Sequence, residues 1–256
     1  MNSILTNLGY VEIVLSLAAL CFITVKRQWK DYWALGSFLA VRAACSGCLA
    51  LDLHYAPSMS RHTAYIVYFY VYWSAFAIES LLGLAILYDV FGLTMAPLKG
   101  LRRLGMLLFR WAAVVVVGLT LASAFAPQVS GPRYMVSAIA QLQRTQSLLT
   151  LCLVLLVFLA IRSLGLSFGS KVVGVSVGLG LLAAIDLAQS AWLSPVHRMS
   201  SLSSVVNGVA VCATMAIWAA YFAMREPERR EIVLPASSRW LRLDRMALAW
   251  VAEGRG

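Results

Sequence analysis

The sequence predicts an all-α, polytopic membrane bundle of seven transmembrane helices, with the N-terminus outside and the C-terminus in the cytoplasm. Three observations carry this expectation. The 256 residues are 61% hydrophobic and only 12% charged, about half the charge of a soluble domain, and the mean hydropathy is +0.80. The apolar residues gather in runs that reach the roughly 20 residues needed to cross hydrocarbon. Lys and Arg concentrate in alternate links between those runs, the bias that sets orientation in a membrane.

The runs cover approximately 8–25, 33–53, 63–90, 106–126, 137–161, 172–193 and 202–223. They divide the chain into a transmembrane domain, 1–224, and a cytoplasmic tail, 225–256. Pro and Gly punctuate the links, as in "HYAPSMSRH", "TMAPLKGLRRLG" and "PQVSGPRY". The first run is expected to be a retained span. Its flanking charges Lys26, Arg27 and Lys30 follow the apolar stretch, whereas a cleaved leader carries them in front. One set of links, with the tail, holds sixteen of the 21 Lys and Arg residues. The other holds Arg61, Arg133, Arg198 and, at the membrane edge, Arg144. The net charge of +10 is therefore read as topology-setting, with the lipid bilayer as partner and no nucleic acid.

The tail ends in "SSRWLRLDRMALAWVAEG". Helical spacing puts Trp240, Leu243, Ala247, Trp250 and Val251 on one face and Arg242, Arg245 and Glu253 on the other, with Ser237 or Ser238 as cap. This predicts an amphipathic helix at the inner interface, where a cytoplasmic protein partner could also dock.

Lipid supplies no hydrophobic force between spans, so small residues mark where helices approach. Span seven carries Ser204, Gly208, Cys212, Ala216 and Ala220 at every fourth position; span six carries Ser176, Gly180, Ala184 and Ala188, with Gly174 and Gly178 beside them. These ridges are expected to pack the sixth span on the seventh.

Charges inside the spans are costly and narrow the candidates. In span three, Tyr65, Tyr68, Tyr72, Phe76, Glu79 and Gly83 fall in one stripe, which should face the bundle interior. Arg42 lies about 14 Å from the cytoplasmic end of span two, and Glu79 about 14–18 Å from that of span three. The sequence thus predicts an Arg42–Glu79 pair with Tyr72 as third member, because an unpaired arginine at mid-bilayer costs roughly 3 kcal/mol. A second group lies shallower, toward the outside. Glu12, Arg144, Asp186 and Asn207, with Gln141, Gln143 and Gln146 around Arg144, are expected to form an outward-facing vestibule that takes a small ligand or lipid, or else to fix helix order.

Other chemistries have weaker support. All five cysteines sit inside apolar runs, which argues against an extracellular disulfide framework. "CSGC" makes Cys45 and Cys48 a candidate redox pair, with small-residue packing as the competing account. His54, His62 and His197 fall in outer links, so neither a metal nor any cofactor is expected.

"YFYVYWSAFAIESLLGLAILYDVF", "LGLSFGSKVVGVSVGLGLLAAIDL" and "NGVAVCATMAIWAAYF" resemble segments of uncharacterised seven-span bacterial integral membrane proteins. The resemblance implies the bundle and carries no activity or site residue. The topology is also similar to microbial rhodopsins, but all four lysines lie in cytoplasmic links and none in span seven to bind retinal. The functional expectation is a non-enzymatic sensor or accessory protein of a bacterial-type cytoplasmic (inner) membrane. The alternatives are a small-solute carrier using the intramembrane charges and a thiol redox enzyme using Cys45 and Cys48.

Overall fold

The computed structural model describes residues 2–55, 61–124, 144, 146–159, 167, 169–192, 201–225 and 239–253. These form helices and links, with no strand among them. The helices are α1 (Asn2–Val25), α2 (Trp33–Tyr55), α3 (Arg61–Thr94), α4 (Lys99–Ala124), α5 (Gln146–Leu159), α6 (Lys171–Trp192), α7 (Ser201–Ala223) and α8 (Arg239–Glu253). Arg133, Arg162, Arg198, His197, Gln141, Gln143, Ser237 and Ser238 lie outside the described residues, as does the start of the expected fifth span.

Among the described residues, four helices are long and apolar enough to cross a membrane: Thr6–Val25, Ile66–Thr94, Lys171–Ala188 and Ser204–Ala223. The apolar stretches Trp33–Leu49 and Gln146–Leu159 are shorter. Large apolar side chains face outward along the bundle, among them Tyr10, Val14, Leu51, Tyr70, Trp111 and Leu159. Lipid is the solvent that suits such a surface.

Neighbouring contacts fix the helix directions. Leu8 lies against Gly208, and at the far end Lys26 Nζ donates to the carbonyls of Ala223 (2.6 Å) and Met224 (2.9 Å), so α1 and α7 run parallel. The ammonium caps the carbonyl end of α7, which carries partial negative charge. Tyr32 meets Phe222 and Phe38 meets Trp218, so α2 runs antiparallel to α7. Gly178 faces Trp218 and Gly174 faces Tyr221, which makes α6 antiparallel to α7 as well. Val154 contacts Gly180 and Ser147 contacts Asp186, opposing α5 to α6. Gly83 abuts Gln146 and Leu156 packs near Met95 and Leu98, so α3 and α5 are parallel. Phe91 sits over Gly105, and α4 opposes α3. Successive helices α1 to α7 therefore alternate in direction. Helices α1, α2, α3, α6 and α7 close a ring of neighbours, α5 leans on α3 and α6, and α4 stands outside against α3 and α8.

The dry core fills one half of this ring. Trp218, Phe222, Met215, Leu35, Leu39 and Leu87 are all buried to below 2% exposure near the links at residues 26–32 and 95–98. Buried hydroxyls inside the helices turn back on their own backbone. Thr94 donates to Val90 O at 2.7 Å, Ser176 to Val172 O at 2.8 Å and Thr214 to Ala210 O at 2.9 Å. Such bonds satisfy polar groups where no water is at hand.

Two expectations need correction. The sixth span packs on the seventh as expected, but through Gly174 and Gly178 rather than through the main small-residue ridges. Gly208 and Cys212 face Leu8 of α1, Gly180 faces α5, and Ala216 and Ala220 are exposed. The α6–α7 contact uses Gly174 and Gly178 as sockets for Tyr221 and Trp218, because a bulky ring needs a missing side chain opposite. The link "LKGLRRLG" is the first two turns of α4, its Arg102 and Arg103 exposed while Leu98 is buried. On α8, Ala247 of the expected apolar face is buried, Asp244 and Leu248 turn toward α4 and Leu243 is exposed; the side chains of Trp240, Trp250 and Val251 lie outside the described residues. Asp244 Oδ1 accepts the Leu101 N–H at 2.9 Å, a carboxylate drawn to an otherwise unpaired donor at the start of α4.

Replacing Gly178 by Leu should destabilise the protein by about 1–3 kcal/mol, because Trp218 must leave its socket. Reversible unfolding in mixed micelles measures this, with Gly118→Leu, where a side chain meets nothing within 4 Å, as the neutral control.

Candidate functional site

The other half of the ring encloses a cavity of about 300 Å³. Its floor is Phe38, Leu179 and Val211, which belong to the core below. Its polar wall is built from six helices, and Arg42 of α2 organises it. Arg42 Nε donates to Glu12 Oε1 of α1 at 2.7 Å, and Nη1 donates to Glu79 Oε2 of α3 at 2.7 Å. The side chains of Arg42, Glu12 and Glu79 are 20%, 16% and 14% exposed. Ser46, one helical turn from Arg42, points its Oγ at the same Glu12 oxygen at 3.4 Å. Such charge-assisted bonds are the strong class, and each carboxylate offsets part of the cost of placing a guanidinium in hydrocarbon.

Tyr72 is therefore not the third member of the ion cluster; Glu12 is. The guanidinium presents two separate N–H edges, and a carboxylate satisfies one far better than a phenol does. Tyr72 instead lines the cavity within an aromatic column. It stacks on Tyr68 at 5.8 Å and on Phe76 at 6.2 Å, with ring planes within 14°. Tyr72 lines the cavity and so faces the bundle interior as expected, while at 38% exposure, with Tyr68 at 44%, the upper part of the stripe is open rather than packed. Lower on the same stripe, Phe76 and Glu79 line the cavity, and Gly83 leaves room for the Gln146 side chain.

The expected outer vestibule is not a separate site. Glu12, Asp186 and Asn207 line the same cavity as Arg42 and Glu79. Arg144 is exposed and takes no part in the lining. Asp186 accepts from Ser147 Oγ at 3.5 Å, and Thr150 and Gln146 complete that wall. Depth explains the merger. By helix rise, Glu12 lies about 20 Å from the basic end of its span and Arg42 about 14 Å from that of its own, so their Cα atoms are about 6 Å apart along the membrane normal. An extended arginine spans that gap, so groups at two nominal depths meet.

Cys45 lines the cavity beside Arg42, whereas Cys48 is exposed and does not. Both thiols are free. Three residues apart on one helix, the two thiols are neighbours, but only Cys45 lines the cavity. Among the described residues, no three His, Cys, Asp or Glu side chains are grouped to hold a metal ion. The chain matches no protein-family model, no curated protein and no solved structure.

Arg42→Gln should cost about 3–5 kcal/mol, because it leaves two carboxylates sharing a half-buried pocket without their cation. Adding Glu79→Gln to Arg42→Gln should recover part of that loss, giving a coupling energy of about 1–3 kcal/mol between the two positions. A double-mutant cycle read by unfolding in mixed micelles measures it, and additive losses would contradict the pairing.

Proposed function

We propose that the protein is a seven-span sensor or accessory protein of a bacterial-type cytoplasmic membrane, with its N-terminus outside, and that the cavity receives a small ligand from the outside. The observation that carries this reading is the position of the cavity relative to charge. Alternating helix directions bring Lys26, Lys30, Lys99, Arg102, Arg103 and Arg225 to one end of the bundle. The cavity occupies the half away from that end. If the basic end faces the cytoplasm, as the positive-inside rule requires, the polar chamber faces outward over a sealed apolar floor.

A chamber of this volume lies at the small end of ligand sites. It has polar groups on several helices and a dry core beneath, so an occupant would press on α1, α2, α3 and α6 together. The output surface in this reading is the basic end, where α8 is tied to α4 through Asp244 and Leu101 and exposes Arg242 and Arg245 to a cytoplasmic protein partner. A small-solute carrier is the second reading. It is favoured by the ion cluster lying directly above the floor, where a gate would stand.

Accessibility tests the orientation. In a background with the native cysteines replaced by serine, Ser46→Cys should react with a membrane-impermeant maleimide added to intact spheroplasts. Arg103→Cys should react only after the membrane is opened. The reverse pattern would overturn the proposal.

A further inference from the structure

We propose that the occupant of the cavity is a small organic ammonium ion carrying an apolar group, an inference that rests on reading the cavity as a ligand site. The first argument is charge. Glu12 and Glu79 share a single guanidinium, so the cluster holds two carboxylates for one cation. A net negative charge in a pocket walled by hydrocarbon is unfavourable until a cation joins it. Arg42 keeps N–H donors beyond the two bonded to carboxylates, but an anionic ligand reaching them would meet the repulsion of Glu12 and Glu79.

The second argument is the aromatic wall. Phe76 and Tyr72 line the chamber beside Glu79, and Tyr68 continues the stack upward. Aromatic faces attract desolvated cations, with a gain that grows as water is excluded. Phe38 supplies an apolar floor for the remainder of the molecule. Among the described residues no three His, Cys, Asp or Glu side chains converge as the ligands of a bare metal ion would. A volume of about 300 Å³ suits roughly ten non-hydrogen atoms.

The test uses the full chain in lipid nanodiscs and three probes of matched size: phenethylamine, 2-phenylethanol and phenylacetate. Calorimetry at neutral pH should show phenethylamine binding at least about tenfold tighter than the alcohol, with phenylacetate weakest. Glu79→Gln should weaken the amine about tenfold and leave the alcohol nearly unchanged. Tyr72→Leu, outside the ion cluster and so independent of its folding role, should also reduce the preference for the amine. Equal affinity for amine and alcohol, a preference for phenylacetate, or no binding by any probe would overturn the inference. Protection of Ser46→Cys from the maleimide separates this from failure of the cavity reading. Protection by the alcohol or phenylacetate alone keeps the ligand site and removes the ammonium ion. A thiol that the reagent never reaches from outside removes both.

Discussion

One guanidinium holds three helices to each other inside a medium that punishes free charge. Arg42 reaches Glu12 on α1 with one edge and Glu79 on α3 with another, both at 2.7 Å. In water such links would be worth little. Between helices solvated by lipid the alternative to pairing is an ion without a partner, so the cluster dictates which faces of α1, α2 and α3 turn inward. The rest of the arrangement is consistent with that choice. The opposite faces of those helices, with Tyr10, Val14, Leu51 and Tyr70, are left for lipid.

The bundle is divided along its length by packing. Toward the basic links, Trp218 fills the space above Gly178, Phe222 meets the edge of Tyr32, and Lys26 fastens the end of α7. These contacts need close approach and give a dry core. Toward the other end, the ion cluster and the polar residues of α5 and α6 hold the helices apart and leave a chamber. Sealing below and opening above follow from where large side chains find glycine sockets and where charges exclude them.

Much of this was legible in the sequence because hydrocarbon is a strict solvent. Depth arithmetic alone brought Arg42 and Glu79 together, since opposite charges at similar depth on consecutive helices have few other options. The same arithmetic separated Glu12 from them, because it tracks Cα positions and ignores how far a long side chain travels. It also grouped Arg144 with Asp186 by depth, although rotation about the α5 axis leaves Arg144 exposed. Rotation was the general blind spot. The ridge Ser204, Gly208, Cys212 is real as a pattern, but spacing does not say whether α1 or α6 lies opposite. On α8, apolar periodicity does not reveal the polar contact, in which Asp244 accepts the Leu101 N–H at the start of α4.

The most direct test of this account is the environment of the Arg42 side chain itself. In nanodiscs, with arginine labelled with nitrogen-15, the Arg42 Nε–H signal can be assigned from its loss in Arg42→Gln, and its exchange with water measured by NMR. A proton bonded to Glu12 inside the bundle should persist while that of the exposed Arg242 washes out, and Glu12→Gln should speed its exchange. An Arg42 signal that exchanges as fast as that of Arg242 would contradict the ion cluster and the cavity built around it.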